Sequence, residues 1–142
     1  MAADQILIIC DGEFSFGSML ASYIRFYSID QFQPVVITLH QQHLHPLAVQ
    51  VMSEDGIDIS ECKPLNINKI KNNSFRVAVH ITSQVQSGIP EYIHAEEVIR
   101  LQYDEPVRST HYNEVVLAYR QTREAIKTSG IELVGQWQQV LV

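Results

Sequence analysis

Five consecutive apolar residues, Ile6-Leu7-Ile8-Ile9-Cys10, stand between Asp4-Gln5 and Asp11-Gly12. A run this short, without polar alternation, suits a strand buried on both faces, as in a parallel sheet. It constrains the chain more than any other segment, because both faces of such a strand must be covered by further layers. Helical spacing follows it: Met19, Leu20, Tyr23, Ile24 and Tyr27 recur along residues 18–28. Between the two, Gly12 can supply a positive-φ turn with backbone amides pointing inward.

The alternation continues along the chain. Pro34-Val35-Val36-Ile37-Thr38-Leu39 reads as a second strand. Pro46 opens a second helix carrying Leu47, Val49, Val51 and Met52, and Gly56 marks its end. Residues 59–74 are polar and read as loop. A third strand covers Phe75 to Ile81 and a fourth Glu97 to Leu101, the latter followed by Asp104-Glu105-Pro106. Residues 112–128 carry the longest helical pattern, with Val115, Val116, Tyr119, Thr122 and Ile126 on one side. The apolar tail from Ile131 to Val142 fits either extra helix or an added strand.

Strands alternating with helices predict an α/β fold, a three-layer αβα arrangement around a four-stranded parallel sheet with right-handed crossovers. Residues 1–130 are expected to form the domain, with 131–142 a C-terminal extension packed on it or at an interface. In such sheets ligands sit beyond the carboxyl ends of the strands. Cys10 and Asp104-Glu105 both fall at such ends and are positioned to converge.

Composition narrows the function. The chain has 142 residues, 46% hydrophobic and 18% charged, which suits one globular domain with its own core. The formal net charge is −6, with only 10 Lys and Arg and no basic stripe. That argues against nucleic acid or an anionic membrane as partner. No segment approaches the roughly 18 apolar residues of a membrane span, and the N-terminus lacks a positively charged leader pattern. A cytoplasmic protein is expected. Cys10 and Cys62 fit neither a disulfide framework nor a zinc-knuckle spacing.

Several short phrases occur in a telling order: Ile8-Ile9-Cys10-Asp11-Gly12, His45-Pro46-Leu47-Ala48-Val49 through Met52, Gly56-Ile57-Asp58-Ile59-Ser60, Tyr103-Asp104-Glu105-Pro106, and the helix over 113–127. On these, residues 5–128 resemble the low-molecular-weight protein tyrosine phosphatase family, especially its thioredoxin-coupled arsenate reductase branch. The resemblance implies that fold, Cys10 as nucleophile, and Asp104 or Glu105 before Pro106 as the acid. It also implies an anion loop of Asp11, Gly12, Glu13, Phe14, Ser15, Phe16 and Gly17. This chain departs from the family at several of these positions. The family's arginine, six residues after the cysteine, is Phe16; the serine after it is Gly17; the loop asparagine is Glu13. The reductase branch's further cysteines are missing, and Thr82 and Ile89-Pro90 stand in that region.

These departures are large in energy. An arginine fork makes charge-assisted hydrogen bonds of about 1.5–3 kcal/mol each. A helix N-terminus alone contributes about 0.3–1 kcal/mol toward an anion. Phe16 offers no side-chain donor, and Asp11 and Glu13 would repel a dianion if they faced the loop. Cysteine nucleophiles depend on nearby cations that this loop lacks. The expectation is therefore a catalytically degenerate member acting as a binding or regulatory module. Its altered site would be a neutral or acidic surface lined by Phe14 and Phe16, the two rings either filling the emptied anion pocket or forming an exposed partner site, and its partner an unidentified protein or a second copy. The alternative is a weak or divergent tyrosine phosphatase or arsenate reductase using Cys10, with a cation borrowed from Arg100, Arg108 or a partner. His40, His43 and His45 have metal-binding chemistry but an incomplete ligand set, so neither metal nor cofactor is expected. His80, His94 and His111 read as isolated structural or surface residues.

Overall fold

A computed structural model describes residues 4–11, 14–38, 44–63, 65–66, 74–82, 93–104 and 110–140. The elements run β1 (Asp4–Asp11), α1 (Phe14–Ser28), β2 (Phe32–Thr38), α2 (Pro46–Glu54), β3 (Leu65–Asn66), β4 (Ser74–Thr82), β5 (His94–Gln102) and α3 (Tyr112–Val140). All strand pairs are parallel, in the order β3-β2-β1-β4-β5. Four long strands make the expected sheet. The two-residue β3 at its edge lies within the segment read from sequence as loop. It is too short to carry a hydrophobic period, and only its pairing of Ile37 with Leu65 and Thr38 with Asn66 reveals it.

Local chemistry explains the boundaries. Pro34 sits inside β2 yet costs the sheet no ladder bond, because β3 pairs only with the last two residues of β2. Its carbonyl instead accepts a hydrogen bond from Arg25 Nη2 at 2.9 Å. Helix α2 starts with His45 as its N-cap and Pro46 in the first turn, where a missing N–H is harmless. It ends in a Schellman motif. Gly56 N–H donates to Ser53 O and Ile57 N–H to Met52 O, both at 3.0 Å, with Gly56 at φ +77°.

Strand alternation splits the sheet's side chains into two apolar clusters. Ile6, Ile8, Cys10, Val77, Val79 and Ile81 pack with Met19, Leu20, Tyr23 and Ile24 of α1, Met52 of α2, and Val116, Tyr119 and Ile126 of α3. The other cluster holds Leu7, Ile9, Ile37, Phe75, Ala78 and Ile93. Leu7, Ile9 and Ile37 are fully buried there, so both faces of the sheet are covered, as the three-layer arrangement requires. The tail is helix: α3 continues unbroken through residue 130 to Val140. Leu133, Val134 and Trp137 join the larger cluster, and the Trp137 ring meets Phe32 edge-on at 5.3 Å. Salt bridges tie α2 to α3, with Arg120 and Arg123 on Glu54 at 2.6 and 3.1 Å and Lys127 on Asp55 at 3.3 Å. Among the described residues, no helix is long and apolar enough to cross a membrane.

Candidate functional site

The strand order reverses between β1 and β4, so the crevice beyond their carboxyl ends is where an open α/β sheet places ligands. Cys10 and Asp11 close β1 at this point, and Thr82 closes β4 opposite Asp11. Because alternate residues of a strand face opposite ways, Cys10 and Asp11 serve different surroundings.

Cys10 is 1% exposed and belongs to the helix-side cluster. A Cβ at position 17 would overlap Cys10 Sγ and stand 3.0 Å from Val36 Cγ1. The sulfur thus occupies the space in which a residue with a side chain at position 17 would begin. Phe16 is 3% exposed, and its ring meets Tyr103 edge-on at 6.2 Å. Of the two expectations for Phe16, the exposed partner site is corrected here, because the ring is buried. A large apolar ring gains most from burial, and a core position beside Tyr103 is open to it. Asp104, the next residue after Tyr103, is exposed. The structure therefore brings Phe16 into contact with Tyr103, the residue before Asp104, through two aromatic rings.

Ser15 and His45 knit the mouth of the site. Ser15 Oγ accepts the His45 backbone N–H at 2.9 Å, joining the first turn of α1 to the N-cap of α2. His45 Nδ1 accepts the Leu47 N–H at 3.1 Å, and its ring stacks on Tyr119 of α3 at 4.9 Å. This capping bond occupies one of the two ring nitrogens. Among the described residues, no group of three metal-ligating side chains forms. Gly12, Glu13, the Phe14 side chain, His40, His43, Glu105 and Pro106 lie outside the described residues.

On the opposite face sits a pair that sequence reading missed. His80 and Asp11 are each 2% exposed, with Nε2 and Oδ2 4.0 Å apart. Neither His80 ring nitrogen has a hydrogen-bond partner among the described residues. Burial pushes the imidazole pKa below its ordinary value; Asp11 opposes that shift and Arg100 adds to it. His80 is therefore not isolated but buried beside Asp11, which agrees with the structural rather than the surface reading of its position in the sequence. It lies 69 positions after Asp11, and no local spacing could announce a pairing made by the β1–β4 register.

No family model matches the sequence, and no curated protein matches it either. Solved structures do. An arsenate reductase in its phosphate-binding state superposes with a TM-score of 0.78 at 18% identity, over 94% of this chain and 98% of that one. The chain has the arsenate reductase fold. An arsenate reductase from Archaeoglobus fulgidus matches with a TM-score of 0.71 at 14% identity, over 92% and 98% of the two chains. A mutant of YwlE from Bacillus subtilis matches at 0.68 and 16%, over 96% and 99%. The architecture inferred from the resemblance is thereby borne out, at identities that speak for the fold alone.

Proposed function

We propose that this chain is a catalytically silent relative of the arsenate reductases and low-molecular-weight phosphatases, working as a binding or regulatory module. One observation carries the reading: the residue at the family's arginine position, Phe16, is buried against Tyr103 and presents no donor to an anion. The packing of Cys10 supports it. Its sulfur lies against Gly17 in the apolar cluster and the residue is 1% exposed, as a small buried apolar residue would be. Losing an arginine fork removes bidentate hydrogen bonds that a helix N-terminus does not replace.

The test is turnover of a small aryl phosphate, and of arsenate with a thioredoxin system, by the purified chain beside Cys10→Ser. Equal, background-level rates in both are expected. Turnover that disappears in Cys10→Ser would overturn the proposal and establish the divergent enzyme in its place.

A further inference from the structure

Among the described residues, strand β5 is the long edge of the sheet. It pairs with β4 over residues 94–102 and stands last in the strand order. Six of its nine residues are exposed, among them Val98 at 46%. An edge strand leaves half of its backbone N–H and C=O groups without a ladder partner, which is a template for another strand. Proteins usually blunt such edges with charged side chains, Lys above all, with Pro or with a very short strand. The opposite edge is blunted in this way, since β3 has two residues. β5 carries neither Pro nor Lys. Its charges are Glu96, Glu97 and Arg100.

We propose that two copies of this chain join β5 to β5, antiparallel, about a two-fold axis at Val98, continuing the sheet across both. The charge pattern selects that partner and that register. In an isologous pair the same strand meets itself reversed. Because a two-fold axis perpendicular to the sheet preserves its faces, only residues of the same parity can stand opposite. Centring on Val98 sets Glu96 against Arg100 twice, on the same face as the paired Val98 side chains, with Ala95 against Leu101 and His94 against Gln102. Centring on Glu97 would set two like carboxylates against each other, and centring on Ile99 would leave Glu96 facing Gln102. Opposite charges directly across an antiparallel pair stabilise it, and like charges destabilise it. Among the described residues, no salt bridge within the chain engages Glu96 or Arg100, so both are available. Val98 supplies the apolar centre. The interface is independent of Cys10 chemistry and stands whether or not the site is silent.

Sedimentation equilibrium on the full chain tests this, at loadings from about 1 to 500 μM, where a contact of this small size would associate. A concentration-dependent dimer is expected. Glu96→Arg and Arg100→Glu should each raise the dimer Kd by about tenfold or more, since the symmetry doubles every repulsion. The double reversal, Glu96→Arg with Arg100→Glu, recreates the pairing with its signs exchanged and should return Kd to within about threefold of the starting value. A chain that stays monomeric throughout would overturn the proposal. So would a dimer indifferent to the single reversals, or one that the double reversal fails to rescue.

Discussion

Gly17 is in a helix, where glycine costs about 0.5–1 kcal/mol relative to alanine. Taken alone, that makes Gly17→Ala stabilising. The packing reverses the sign, because a Cβ there would overlap Cys10 Sγ, closer than real Cβ contacts come. Gly17→Ala should therefore cost about 1–3 kcal/mol by overpacking. In a Cys10→Ala background the sulfur is gone, and the same change should be near neutral. Urea unfolding of the four proteins checks this, and a coupling near zero would mean that sulfur and helix do not compete for that space. The departure at position 17 is visible in the sequence. Its physical content, the Cys10 sulfur packed where a side chain at position 17 would begin, required the fold. It also means that any side chain placed at position 17 must displace Cys10. Phe16 follows the same logic: its identity told that an arginine was absent, and only the structure told where the ring went.

At the scale of elements, the strands and helices were largely legible because their apolar periods are strong. Ile6–Cys10 has no polar break, and Pro46 and Gly56 punctuate α2 with the chemistry of helix ends. The tail was not legible, since Leu133, Val134 and Trp137 satisfy more than one period. As the last turns of α3 they lie in the main cluster, with Trp137 against Phe32 at the start of β2. Trp137→Ala should cost about 3–5 kcal/mol. Truncation after Gly130 should lower the melting midpoint by about 10 °C or more, or abolish cooperative unfolding. Trp137 is the chain's single tryptophan, so its fluorescence reports on this contact directly. A truncated chain that melts like the full one would show that residues 131–142 are dispensable to the core.

For the whole molecule, the burial of His80 makes stability depend on pH. The His80 pKa is lower folded than unfolded, chiefly through burial. Above about pH 6.5 the imidazole is neutral in both states and adds no dependence. As pH falls below that value the unfolded chain takes up a proton before the folded chain does. Stability then drops, by up to about 1.4 kcal/mol per pH unit, until the folded-state pKa is reached. The carboxylates Glu54, Asp55 and Asp58 also have lowered values, but their contribution is lost further down, as pH falls below their ordinary range of about 4. Thermal melts between about pH 7 and 5 isolate the histidine effect, and His80→Gln should flatten the slope in that window. An unchanged slope in the variant would assign the dependence to other groups.

By itself the sequence determined the α/β class, the parallel sheet, the order of its long strands and helices along the chain, and the identity of the residues, Phe16 and Gly17 among them, that differ from those the resemblance implies. These are properties of single residues and short periods, which a chain displays without folding. Tertiary structure alone decided the rest: the burial of Phe16 on Tyr103, the sulfur of Cys10 against Gly17, the meeting of Asp11 with His80, and the helical tail closing the core. Each is a contact between residues far apart in the chain or between packed elements. Its geometry follows from strand register and helix packing, which no local pattern encodes.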